Sequence, residues 1–129
     1  NIWKILWSLH HIMHVDHRRR FTFGLTIANR NTRIWFCCRQ IVLVSQVFDF
    51  SKDAPKLVHL IASLAFASPT QLGYDPTMTL RWRLNSWQYD IQLTSQNPDG
   101  TQCIQTYKTT RVICDSANNI RGRATRVYE

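Results

Sequence analysis

One segment, residues 48–78, constrains the fold of this chain more than any other stretch. It reads FDFSKDAPKLVHLIASLAFASPTQLGYDPTM. Asp53 is a suitable N-cap residue, and Pro55 suits the first turn of a helix, where a missing N–H is tolerated. Apolar side chains then recur at helical spacing, at Leu57, Leu60, Ile61 and Leu64. The pattern predicts a helix whose apolar stripe is buried against the preceding strands, followed by a turn at Gly73 and Asp75-Pro76.

The residues before this segment predict a helix and three strands. Residues 2–17 carry a broad apolar face, which is typical of a helix packed on a partner. Residues 21–27 alternate between apolar and small or polar residues, which indicates a half-buried strand. Two nearly continuous apolar runs, residues 34–38 and 41–47, indicate central strands. The order is therefore a helix, a three-stranded antiparallel meander and a second helix.

After Met78 the pattern becomes β-rich. Residues 79–84 and 87–93 alternate between apolar and polar side chains, which predicts two strands. Asn97-Pro98-Asp99-Gly100 has the residue types of a tight turn. Residues 102–114 are interpreted as one return strand. The whole chain is accordingly predicted to be α+β.

Composition limits the classes of protein to which the chain can belong. With 129 residues, 44% of them hydrophobic, it can bury one ordinary core. The sequence has no apolar run of 18 residues, so we expect no membrane partner. The cysteines lack the spacing of a metal site or a disulfide framework, which favours free thiols and an intracellular location, cytoplasmic or nuclear. These residues are Cys37, Cys38, Cys103 and Cys114.

The net charge of +8 raises the question of nucleic acid. The dense basic run is Arg18-Arg19-Arg20, and a second basic cluster lies at Arg121, Arg123 and Arg126. A basic surface with aromatic side chains can bind phosphate backbones. The first run also follows the helix predicted over residues 2–17, and cations at that position stabilise the C-terminal end of a helix. We do not expect nucleic acid to be the partner.

Three histidines share one side of the first predicted helix. His10, His14 and His17 stand at spacings that could hold a transition metal if another ligand completed the set. No glutamate lies between them, and surface histidines are common. The sequence alone leaves this metal site open.

Several stretches resemble the N-terminal region of fungal-type protein kinases. They are FDF, LAFAS and LGYDPTM within residues 48–78, RRRFTFGLTI at 18–27, RIWFCCRQIVLVSQVFDF at 33–50 and IRGRATRVYE at 120–129. The resemblance implies that residues 1–78 form an α+β region associated with the kinase. It also implies that residues 79–129 are a β-rich segment leading into a protein-kinase-like N-lobe. ATP and Mg²⁺ would be cofactors of the full-length parent, which would transfer phosphate to protein Ser/Thr.

The last stretch resembles the glycine-rich loop that covers ATP phosphates in kinases. The resemblance assigns nucleotide contacts to Gly122, Arg123, Ala124, Thr125 and Val127. Gly122 and Ala124 would let backbone N–H groups approach the phosphates, and Val127 would lie against the adenine. Ala124 replaces the usual second glycine, and the loop is shorter than in standard protein kinases. Without the resemblance, a glycine here would indicate only a turn.

The catalytic motifs of a kinase are absent from this sequence. It has no HRD-like or DFG-like sequence, and every lysine precedes the loop. We therefore expect a non-catalytic, structural or regulatory fragment that needs no cofactor in isolation. Its partners would be the rest of the kinase domain and a protein substrate of the parent. The alternative is a basic interaction module that binds nucleic acid or protein.

Overall fold

The computed structural model describes residues 2–115 and 125–129. It is α+β, which confirms the predicted fold class. Among the described residues, the chain divides into two compact units. The first unit comprises residues 2–74, and the second comprises residues 75–115 together with 125–129. In the described residues no helix is both long and apolar enough to cross a membrane.

The first unit is built on helix α1, Ile2–Val15, as the apolar face predicts. Leu9 and Met13 are buried, with 1% and 2% of their surface exposed. Leu9 packs with Trp35 and Cys37 of the adjacent sheet. Gly24 permits this close packing, because a Cβ atom there would lie 2.9 Å from Leu9 Cδ2. The core of the first unit therefore lies between α1 and the sheet.

The sheet of the first unit is centred on one strand. Strand β2, Asn31–Cys38, pairs antiparallel with β1, Phe21–Ala28, and with β3, Val42–Val44. It also pairs with β4, Phe48–Asp49. A turn with Asn29 at φ 57° joins β1 to β2.

The prediction of a central strand over residues 41–47 is wrong. Strand β3 has three residues and pairs with β2 alone among the described residues. Leu43 and Val44 are 52% and 45% exposed. A continuous apolar run is typical of a central strand, but it does not determine how many neighbours the strand has.

Helix α2, Ala54–Ala65, forms where the sequence predicts it, but its packing differs from the prediction. Asp53 occupies the N-cap position without a side-chain capping bond, and its carboxylate binds Lys56 Nζ at 3.0 Å. No residue of α2 is buried within the described structure, and Ile61 is 56% exposed. The predicted burial of the stripe against the strands is therefore wrong, because helical periodicity identifies an apolar face and not its partner.

Gly73, in the predicted turn, contacts the backbone of β1 at Phe21. Its φ of +97° is favourable only for glycine, and a Cβ atom there would lie 2.1 Å from the Phe21 carbonyl oxygen. The Arg20 N–H donates to the Gly73 carbonyl at 2.8 Å. Gly73 thus lies directly against the first sheet.

The second unit contains an antiparallel sheet of order β5–β6–β7. Its strands are β5, Met78–Arg83, β6, Ser86–Gln96, and β7, Gln102–Lys108. A separate pair comprises β8, Val112–Asp115, and β9, Arg126–Tyr128.

The prediction of a single return strand over residues 102–114 is wrong, since the chain changes sheet at Thr109. The Thr109 Oγ1 accepts a hydrogen bond from the Tyr89 N–H at 2.8 Å. The Thr109 N–H donates to the Tyr89 carbonyl at 2.9 Å. These two bonds hold buried Thr109 at the end of β7, and β8 begins three residues later in another sheet.

Asp90 on β6 forms a paired hydrogen bond with Arg83 on β5. The guanidinium Nη1 and Nη2 donate to its two carboxylate oxygens at 2.5 and 2.8 Å. These bonds hold the pKa of the Asp90 carboxyl below its ordinary value of 3.8. The pair links neighbouring strands of the second unit.

The Asp90–Arg83 pair should make the second unit sensitive to acid. Because folding lowers the carboxyl pKa, its contribution is fully present above the unfolded value and is lost as the pH falls through the folded value. We expect Asp90→Asn to reduce stability at pH 7 and to flatten the decline below pH ~4. Urea unfolding followed by circular dichroism from pH 7 to pH 2.5 tests this. An equally steep decline in both proteins would show that Asp90 is not responsible.

Candidate functional site

Strands β8 and β9 form the base of the predicted nucleotide loop. They pair antiparallel, with Val112 opposite Tyr128 and Asp115 opposite Arg126. Thr125 lies immediately before β9, and Val127 lies within it. Gly122, Arg123 and Ala124 lie outside the described residues. The structure therefore places Thr125 immediately before, and Val127 within, the strand that pairs with β8.

Arg126 and Asp115 form an ion pair at one end of the β8–β9 strand pair. Arg126 Nε donates to Asp115 Oδ1 at 3.1 Å, and the Arg126 side chain is only 8% exposed. A fully exposed ion pair would contribute little to stability. Because the Arg126 side chain is largely buried, this pair is shielded from solvent, and it links the last residue of β8 to the first residue of β9.

The opposite end of the base is held by the backbone. The Thr110 N–H donates to the Glu129 carbonyl at 2.6 Å, and the Glu129 N–H donates to the Arg111 carbonyl at 3.0 Å. Arg111 and Glu129 also form a side-chain ion pair. The β8–β9 strand pair is thus joined by side-chain or backbone bonds at both ends.

Tyr128 connects this hairpin to the three-stranded sheet of the same unit. Its ring makes an edge contact with Tyr89, with the centroids 6.0 Å apart and the planes at 62°. Burial raises the pKa of the Tyr128 hydroxyl to about 12. The hydroxyl is therefore neutral at physiological pH, and Tyr128 acts as a packing residue.

Val127 has the opposite environment from its two neighbours in β9. It is 44% exposed, whereas the Arg126 side chain is largely buried and Tyr128 is half-buried. Successive side chains of a strand point to opposite faces, so Val127 and its cross-strand partner Cys114 share the open face. That face offers a ligand an apolar contact.

The arginine run at residues 18–20 was the other candidate binding surface. Arg18 binds the Asp16 carboxylate through two bonds of 2.8 and 3.0 Å. Arg19 donates to the Leu72 carbonyl at 2.6 Å and to the Tyr74 hydroxyl at 2.8 Å. Two of the three arginines are thus engaged within the first unit, which weakens the case for a phosphate-binding patch. The sequence does not reveal the bonds of Arg19, because Leu72 and Tyr74 are distant from it along the chain.

Of the three histidines that the sequence offers as metal ligands, His10 and His14 lie within α1 and His17 lies beyond its end. The rings of His10 and His14 stack, with their centroids 6.2 Å apart. Within residues 2–115 and 125–129, no group of three or more His, Cys, Asp or Glu side chains is arranged to hold a metal ion.

Comparison with known proteins yields one family. The sequence matches the fungal protein kinase family over residues 1–129. No curated protein and no solved structure matches it.

Proposed function

The chain belongs to the fungal protein kinase family, and we propose that residues 112–128 supply the hairpin that covers the ATP phosphates in the full-length kinase. The observation that carries this proposal is the antiparallel pairing of β8 with β9. It brings residues 112–115 and residues 126–128, which precede and follow the Gly122–Ala124 sequence, next to each other. A phosphate-covering loop in kinases likewise joins two antiparallel strands.

The electrostatic environment of the hairpin is compatible with a phosphate ligand. Its carboxylates belong to Asp115 and Glu129, which are paired with Arg126 and Arg111 respectively. Each negative charge is therefore compensated by a neighbouring guanidinium. A polyphosphate approaching residues 122–125 would meet little net repulsion from the strands.

Val127 would supply the apolar part of the nucleotide contact. Its side chain lies on the open face of β9, and adenine bases bind against exposed aliphatic side chains. Thr125 is exposed and lies immediately before the same strand. In this proposal Val127 contacts the base, while the backbone of Gly122 and Ala124 approaches the phosphates.

The proposed role is to bind and position the nucleotide. The reaction of the parent would be phosphoryl transfer from ATP to protein Ser/Thr, in which bound Mg²⁺ neutralises phosphate charge. The lysine that contacts the phosphates, the catalytic aspartate and the Mg²⁺ ligands would come from other parts of the parent kinase. This chain would accordingly have no transferase activity of its own.

The proposal is tested with Ala124→Asp in the full-length kinase. A carboxylate near the phosphates adds both bulk and like-charge repulsion, so we expect the dissociation constant for Mg·ATP to rise more than about tenfold. Val127→Ala should raise it less, since only an apolar contact is lost. Isothermal titration with Mg·ATP measures both, with circular dichroism as the check on folding.

Thr94→Asp is the matched control. It adds the same charge to an exposed position on β6 of the same unit, and it should leave the dissociation constant within twofold. If folded Ala124→Asp binds Mg·ATP as tightly as the unaltered kinase, residues 112–128 form a hairpin with no nucleotide role.

A further inference from the structure

A cleft of about 620 Å³ lies within the first unit. It opens between the first turns of α1, the last residues of β1 and the first residues of β2. Packing loosens toward the start of the helix, since Leu9 is 1% exposed and Ile2 is 63% exposed. The space between helix and sheet is therefore open at the end away from the core. Its volume is in the range of small-molecule sites.

Most of the cleft wall is apolar. Ile2 and Ile5 line it from α1, Ala28 from β1, and Val47 from the segment after β3. Trp35 lies at the inner end and is 6% exposed. Its indole N–H already donates to Thr26 Oγ1 at 2.9 Å, so the ring offers the cleft apolar surface without a free donor. The wall therefore suits a hydrocarbon or aromatic group.

Two cations line the same cleft from different elements. Lys4 lies on α1 and Arg33 lies on β2. Within residues 2–115 and 125–129, neither side chain has an ion pair or a hydrogen bond. The two charges are thus available to an anionic group at the edge of the apolar wall.

The charge of the unit also favours an anion. Residues 2–74 contain nine Lys and Arg against three Asp and no Glu. The three aspartates bind Arg18, Ser51 and Lys56, and none of them lines the cleft. An anionic head group would meet attraction from Lys4 and Arg33 without a nearby opposing carboxylate.

We propose that this cleft binds an amphiphilic carboxylate, with its apolar body against Trp35 and the isoleucines and its head group between Lys4 and Arg33. The volume of the cleft and its two lining cations favour a single small molecule over an acidic peptide, which would need an extended groove with several cations. A chain of about ten carbons suits a site of this size. The inference does not depend on nucleotide binding.

Isothermal titration of the 129-residue chain with decanoate, below the concentration at which decanoate aggregates, tests the proposal. We expect saturable binding of one decanoate per chain, and binding of decanol weaker by at least tenfold. Lys4→Gln with Arg33→Gln should weaken decanoate binding by at least tenfold. The matched pair Arg30→Gln with Lys52→Gln removes two exposed cations that do not line the cleft, and it should change the affinity less than twofold.

A second variant tests the apolar wall. Ala28 is exposed at the end of β1, so Ala28→Trp should fill the cleft without overpacking the core and should abolish decanoate binding. Circular dichroism checks that each variant folds. Absence of saturable binding would overturn the proposal. The proposal would also be overturned if the folded Lys4→Gln/Arg33→Gln double variant bound decanoate as tightly as the unaltered chain. The ligand would then lie on another apolar surface.

Discussion

Gly73→Ala is expected to lower the free energy of unfolding of the first unit by about 3–5 kcal/mol, through a backbone cost and a steric cost. The backbone at Gly73 has a φ of +97°, which an alanine adopts at a cost of roughly 1–2 kcal/mol. The new Cβ atom would lie 2.1 Å from the Phe21 carbonyl oxygen and 2.9 Å from its carbonyl carbon. Both are backbone atoms of β1, so they cannot rotate away as a side chain would.

Gly100→Ala separates these two costs. Gly100 has a φ of +85°, but a Cβ atom there would have no heavy atom within 4 Å. Alanine at this position should cost only the backbone term, roughly 1–2 kcal/mol. Denaturant unfolding followed by circular dichroism measures both variants. Gly73→Ala is compared with the unaltered protein in the unfolding of the first unit, and Gly100→Ala in the unfolding of the second unit. Equal losses at the two glycines would show that the contact between Gly73 and Phe21 does not exist in solution.

The behaviour of Gly73 illustrates what the sequence could predict and what it could not. Leu72-Gly73-Tyr74 followed by Asp75-Pro76 correctly predicted a turn, since glycine and proline act on the local backbone. The partner of the turn could not be read from the same residues. Arg19, more than fifty positions earlier, donates to the Leu72 carbonyl and the Tyr74 hydroxyl. Its bonds depend on tertiary structure and have no local pattern.

The same distinction explains the errors in the strands. The helices and β1 were predicted close to their observed bounds, because their periodicity is local and spans many residues. The return strand was predicted to continue through Thr109, whose residue type suits a strand. The hydrogen bonds between Thr109 and Tyr89 end β7 instead. A contact twenty residues away in sequence thus determines where the strand ends.

At the candidate site, Val127 lies within β9. The nucleotide contacts assigned to Gly122, Arg123, Ala124, Thr125 and Val127 stay predictions. The buried guanidinium of Arg126 and its bond to Asp115 were not predicted, because an arginine beside Thr125 could equally have been a surface cation. Pairing of β8 with β9 is what gives Arg126 its partner.

The packing of the two helices provides the last prediction. Leu9→Ala in α1 should lower the free energy of unfolding of the first unit by about 3–5 kcal/mol. Leu9 is 1% exposed and packs with Trp35 and Cys37. Its truncation removes transfer free energy and leaves a cavity, which the β-sheet backbone cannot readily fill.

Leu64→Ala in α2 is the matched comparison, since it makes the same substitution inside a helix, where alanine is equally well tolerated. Leu64 is half-buried, and no residue of its helix is buried within the described structure. Truncation there should cost about 1 kcal/mol or less, because the remaining contacts are few and no closed cavity forms. Denaturant melts of both variants under one set of conditions give the difference directly. If Leu64→Ala costs as much as Leu9→Ala, the stripe of α2 is buried in solution, and the first unit has a second core on that helix.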